Sequence, residues 1–266
     1  MTKNQHYIPQ FYQKIWECEK KGHIWQLDKQ HKNNIDKGIR MKAIRTQNSE
    51  NCLYEVDKNN PNNNIENLYG KFETRYAKKY RNLIKDLKKE RICKISDNDK
   101  HTLCKLFANF SARHPINIYD NEINNNLASH FILDRKASNN KIDPNINKRY
   151  MQNYIALIEG SVFKEVESNF ARFLWNYCNI QIFTSDEENI VYCDNIIGQI
   201  SYSDEYYFPM SPTILAKFST KSYVKDKPVV KITSEEYQRF IQLYLSSPTV
   251  KRIYASNKHT LENIGE

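Results

Sequence analysis

The clearest periodicity in the chain runs from Ile65 to Leu87, where Ile65, Leu68, Phe72, Tyr76, Leu83 and Leu87 recur three, four or seven residues apart. That spacing places them on one face of an α-helix. Lys71, Arg75, Lys78, Arg81, Lys85 and Lys89 then fall on the opposite face. The Asn- and Pro-containing run just before it, residues 58–64, reads as a turn whose asparagines can cap the helix. Ser96-Asp97-Asn98-Asp99 signals the start of a second helix, which carries Leu103, Leu106, Phe107 and Phe110 and should stop at His114-Pro115. A polar helix is expected over residues 123–135 and a loop over 136–147. A fourth helix, over 148–175, holds Tyr154, Leu157, Val162, Val166, Phe170 and Leu174 on its apolar face.

Strand-like runs flank these helices. Residues 23–27, 39–44 and 52–56 alternate with turn signals and suggest a small antiparallel sheet. Beyond Tyr177 come further strand-like runs at residues 180–184, 190–193, 196–202 and 213–218. Thr233-Ser234-Glu235-Glu236 opens an amphipathic helix reaching Leu245, and residues 252–255 form a last strand. The expected fold class is α+β: a small N-terminal antiparallel sheet, central long amphipathic helices, and a C-terminal mixed β/α region packing back on the N-terminus. A single domain over 1–266 is the reading. Any subdivision would fall at the loop, separating a basic half, 1–140, from a helix-plus-sheet half, 141–266.

Composition narrows the class. The chain of 266 residues has 18 Tyr and 12 Phe, a ring content that disordered chains lack, so it should fold. Residues 1–11 are polar, with no signal-peptide core, and no apolar run is long enough to cross a bilayer, which reads as a cytoplasmic protein without membrane contact. The 6 cysteines show no CxxC spacing and are expected as reduced, mostly buried thiols. The net charge of +9 is unevenly held: residues 1–150 carry +12 and residues 151–266 carry −3. The segment 71–94 alone has ten basic and three acidic residues. Such a field attracts polyanions, of which RNA and DNA are the commonest inside cells, although a charged helix face can also serve solvation alone.

Several short motifs then fall into a familiar order: Asn4-Gln5-His6-Tyr7-Ile8-Pro9-Gln10-Phe11-Tyr12, Glu50-Asn51-Cys52-Leu53-Tyr54, Ile65-Glu66 with Glu73, Arg113, Trp175, Ile182-Phe183-Thr184-Ser185-Asp186, and Pro209-Met210-Ser211-Pro212. In this order the chain resembles the bacterial family known as domain of unknown function 4238, from Asn4 to about Asn257. Two positions depart from the family pattern. Tyr12 stands where a leucine is usual, and Glu187-Glu188 follows Ser-Asp where a proline is often found two positions on. The resemblance implies a setting in bacterial and prophage defence against phage, with a phage-encoded trigger, and no particular reaction.

Candidate chemistry centres on four residues. His6, between an amide and a Tyr-Ile-Pro turn, can act as base or metal ligand, or can be a structural histidine. Glu66 and Glu73 lie almost two turns apart at the edge of the apolar face, where a carboxylate can bind Mg²⁺ or Mn²⁺ or pair with Arg113. Asp186 follows a strand-like run, where it can be a metal ligand or cap a turn. Ser185 and Ser211 lack the G-x-S-x-G elbow, and Walker, dinucleotide and HExxH patterns are absent. Two readings remain open. One is a metal-dependent nuclease with His6, Glu73, Arg113 and Asp186 catalytic, Glu73 and Asp186 holding the metal, and the six cations of the long helix gripping nucleic acid. The other is a non-catalytic toxin or sensor that binds nucleic acid or a phage component.

Overall fold

The computed structural model describes residues 4–31, 38–51, 53, 64–90, 92–114, 161–196, 205–220 and 229–264. Its first elements are β1 (Asn4–His6), α1 (Gln10–Gln13), β2 (His23–Asp28), β3 (Ile39–Ala43) and β4 (Ser49–Asn51). Helices α2 (Asn64–Lys88), α3 (Asp97–Arg113) and α4 (Ser161–Tyr177) follow. The remainder is β5 (Asn179–Thr184), β6 (Tyr192–Cys193), β7 (Glu205–Ser211), β8 (Ile214–Ser219), β9 (Val229–Lys231), α5 (Ser234–Ser246), β10 (Arg252–Ala255) and α6 (Lys258–Glu262). This is an α+β protein.

The described residues form three sheets. β1 pairs with β4 alone; β3-β2-β10-β6 is antiparallel throughout; and β7-β8-β5-β9 is mixed, because β9 runs parallel to β5. The middle sheet sets Ile253 of the last strand against Leu27 of an early one, so strands from the two ends of the chain share one ladder. The C-terminal region therefore packs back on the N-terminus, and one hydrophobic cluster runs from Tyr7 to Ile264.

The two best-marked helices form where the sequence signals them. Ser96 caps α3, its hydroxyl accepting from the Asp99 amide at 3.1 Å, and the helix ends at Arg113, just before His114 and Pro115. Thr233 does the same for α5, accepting from the Glu236 amide at 3.2 Å. In α2, Tyr69, Tyr76, Tyr80, Leu83, Ile84 and Leu87 are buried. Helix α3 packs along α4, and its Phe107 lies 5.2 Å from the rings of both Phe208 on β7 and Phe218 on β8.

Some expectations are corrected. The first strand pairs with Ser49–Asn51, and of the strand expected at 52–56 only Leu53, in a turn, is among the described residues. The expected strand at 190–193 is only Tyr192–Cys193, and β1, β7 and β9 were not anticipated. The polar helix at 123–135, the loop at 136–147 and the start of the fourth helix lie outside the described residues, as does most of the strand expected at 196–202.

The opening segment is held into this core by its own side chains. Tyr12 is fully buried, ringed by Trp16, Tyr80, Phe110, Tyr192 and Phe208, and its hydroxyl donates to the Pro209 carbonyl at 2.6 Å. Tyr80 of α2 donates to the next carbonyl, Met210, at 2.7 Å. A leucine at position 12 could fill the space but could not satisfy that buried oxygen.

Candidate functional site

Three of the four candidate catalytic residues gather around the N-terminal end of α2. His6 lies on β1 opposite Ser49, with Nε2 3.2 Å from the Arg45 carbonyl oxygen and 3.4 Å from the Gln10 amide nitrogen. Burial lowers its pKa below the usual histidine value, opposed by its contact with the Arg45 carbonyl and by the nearby Glu73 charge, while the Arg113 charge acts in the same direction as burial. Burial thus favours the neutral imidazole, which is already engaged with backbone.

Arg113, the last residue of α3, donates from Nη1 to Glu73 Oε1 at 2.7 Å, and its guanidinium carbon lies 3.9 Å from the centre of the Tyr69 ring. Only 1% of the arginine side chain is exposed, against 30% for Glu73. An arginine so enclosed cannot meet a phosphate arriving from solvent. The contact is the alternative weighed for it, an ion pair with Glu73 that ties α3 to α2.

Asp186 is elsewhere. Two residues past β5, it is 83% exposed, and its Oδ1 accepts from Lys231 Nζ, which also lies 3.8 Å from Glu90 Oε1. Glu90 follows the C-terminal end of α2, whereas Glu73 lies fifteen residues before that end, about 22 Å away at 1.5 Å per residue. Glu73 lies in the N-terminal half of α2 and Asp186 beside Glu90, past its C-terminal end, too far apart to ligate one Mg²⁺ or Mn²⁺ ion. Among the described residues no group of three or more His, Cys, Asp or Glu side chains is arranged to hold a metal. Asp186 instead borders an open cleft of about 370 Å³ at the ends of β5 and β9, lined also by Thr184, Ser185, Asn189, Lys231 and Tyr237.

The six cations of the long helix segment, Lys71, Arg75, Lys78, Arg81, Lys85 and Lys89, are all exposed, and none forms an ion pair with another described residue. At about 100° per residue, Lys71, Arg75, Lys78 and Lys85 fall within an arc of about 80°, with Arg81 about 40° beyond it. Glu73 lies about 160–240° round the helix from those four, among the buried tyrosines. The cationic stripe and the His6–Glu73–Arg113 cluster therefore occupy opposite faces of α2.

Sequence reasoning overlooked a second charged group. Lys217 on β8 is 2% exposed, with Nζ 2.8 Å from Glu236 Oε1 and 3.4 Å from Glu205 Oε1; Arg239 Nη2 lies 2.9 Å from Glu205 Oε2. Tyr207 donates to Glu236 at 2.5 Å, and burial with these two carboxylates raises its pKa. Two positive and two negative charges thus join α5 to the sheet. The available signal was a lysine inside the apolar run Ile214-Leu215-Ala216-Lys217-Phe218, a position that requires a counter-charge if buried.

Asn48 connects the opening segment to β10, and Glu188, at the position where the family often has proline, accepts from the Ser256 hydroxyl at 2.8 Å. Among the described residues no helix is long and apolar enough to cross a membrane. Residues 4–259 match the model of the family described as "Protein of unknown function (DUF4238)", and the chain belongs to that family. No curated protein and no solved structure matches it.

Proposed function

We propose that the chain is a nucleic-acid-binding component of bacterial defence against phage, gripping phosphate through the α2 stripe without reading base sequence. The observation that carries this is the row of exposed cations, none paired with a described residue, on a helix whose other face is locked into the core. Surface charges with nearby acidic partners largely cancel, whereas an unpaired row keeps its field for a polyanion. The defence setting is taken from the family resemblance.

Of the two readings, non-catalytic binding is the better supported. Backbone cleavage would need a base, an anion-stabilising group and metal ligands around one phosphate, but Arg113 is enclosed and Asp186 lies beyond the C-terminal end of α2, fifteen residues on from Glu73. The test uses fluorescence anisotropy with labelled mixed-sequence DNA and RNA, comparing the natural chain with the Lys78→Glu/Arg81→Glu/Lys85→Glu variant. Binding should weaken at least tenfold and by the same factor on unrelated sequences. Unaltered binding would reject the reading. Cells carrying the variant at equal abundance should also lose protection in phage plating.

A further inference from the structure

We infer that the nucleic acid taken by the α2 stripe is a duplex and not a single strand; this rests on the binding function proposed above. Three features of the helix lead there. Its exposed positions between residues 67 and 88 are lysine, arginine, asparagine, threonine and glycine, with no aromatic ring. Its own rings point the other way: Tyr69, Tyr76 and Tyr80 are buried and Phe72 is half-buried against the core. Single-strand binders hold bases by stacking them on exposed rings, and a strand held by phosphate alone must be ordered without that gain. Among the described residues the one large hydrophobic side chain that is exposed is Tyr177 at the end of α4.

The second feature is shape. From Lys71 to Lys85 the stripe runs straight for about 21 Å, the length of roughly six base pairs. Tyr80 pins the middle of the helix through its bond to the Met210 carbonyl at 2.7 Å, so the row is rigid. A straight, rigid row of cations matches the phosphate edge of a stiff duplex, whereas a flexible strand would have to straighten to follow it.

Charge density is the third. A duplex presents one phosphate per about 1.7 Å of axis, twice the density of one of its strands, and releases more counterion per contact. Five cations, the four of the arc and Arg81, would give a slope of log K against log salt of about −4.5 on duplex DNA and about −3.5 on a single strand.

The experiment titrates the full chain with a labelled 20-nucleotide single strand and the corresponding duplex, from 50 to 300 mM salt. The duplex should bind at least tenfold tighter at 150 mM, with the steeper slope, and Tyr177→Ala should leave duplex affinity unchanged. In the Lys78→Glu/Arg81→Glu/Lys85→Glu variant, circular dichroism should be unchanged and the duplex slope should become shallower than about −2. Equal or tighter binding of the single strand, or single-strand binding that depends on Tyr177, overturns the inference while leaving the stripe as the contact surface. Absence of binding to either probe, or binding untouched by charge reversal, rejects the proposed function itself.

Discussion

Arg113 and Glu73 meet at 2.7 Å across the α2–α3 interface, with the guanidinium lying over the Tyr69 ring. The pair is unequal: the arginine is enclosed and the glutamate keeps 30% of its side chain in solvent. Removing the carboxylate takes an ion-pair partner from an enclosed charge, whereas removing the arginine leaves a carboxylate that can turn outward. Glu73→Ala should therefore destabilise the fold by about 3 kcal/mol, with Glu73→Gln milder because it retains an acceptor. The double variant Glu73→Leu/Arg113→Met should recover most of the loss. Urea unfolding of the natural chain, Glu73→Leu, Arg113→Met and the double variant measures the coupling; independent, additive effects would show that the two side chains do not support one another.

The same logic applies to Tyr12 and Tyr80, whose hydroxyls serve neighbouring carbonyls on β7. Tyr12→Phe and Tyr80→Phe should each cost about 1–2 kcal/mol, since a buried carbonyl loses its donor while the ring volume stays. Their centroids are 6.3 Å apart, so the double variant should depart from additivity. Thermal unfolding checks this, and a neutral Tyr12→Phe would mean that the leucine usual in the family fits equally well.

How much of this was legible in the sequence depended on range. Helices α2 and α3, the Ser96 and Thr233 caps and the strand Arg252–Ala255 follow from local spacing and capping chemistry. β1 was hidden because Asn4-Gln5-His6 and its partner Ser49-Glu50-Asn51 are polar on both sides and leave no hydrophobic alternation. β7 was hidden because six of its seven residues are buried, so both faces read alike, and Pro209 interrupts it. The Glu73–Arg113 pair was one of two options that residue types allowed. The separation of Asp186 from Glu73 depends on β9, whose parallel pairing with β5 across some fifty residues brings Lys231 to Asp186. No local pattern encodes that relationship.

Acid should weaken the fold through His114. Burial holds its pKa down to about 4, below the 6.5 of an unfolded histidine, with a Tyr7 ring 5.3 Å away. Above pH 6.5 the imidazole is neutral in both states and stability is unaffected. Between pH 6.5 and about 4 the unfolded chain takes a proton that the folded chain refuses, so stability falls with pH and levels off below 4. The full effect is at most about 3 kcal/mol. His6 acts in the same direction. Urea midpoints at pH 7.5 and 4.5 should differ less in His114→Gln than in the natural chain; an identical pH dependence would remove His114 as a cause.

Asn48 offers the sharpest test of how the opening signature is held. It is 1% exposed, yet its backbone sits at φ 53°, a left-handed conformation that asparagine tolerates better than most residues. Its carbonyl accepts from the Tyr7 amide at 3.0 Å, its Nδ2 donates to Gln13 Oε1 at 3.2 Å, and its Oδ1 accepts from the Tyr254 hydroxyl at 3.0 Å. One residue thus connects the opening segment, the turn before β4 and the last strand. Asn48→Ala removes two buried hydrogen bonds and places a Cβ-bearing residue without local side-chain support at positive φ, so a loss of about 3 kcal/mol is expected. Asn48→Gly loses the same side-chain bonds but relaxes the backbone, and should recover about 1 kcal/mol. The ordering Asn over Gly over Ala in denaturant unfolding separates backbone strain from hydrogen bonding. If Gly and Ala were equal, the left-handed turn would not be what selects asparagine there, and the two buried side-chain bonds would account for the whole effect.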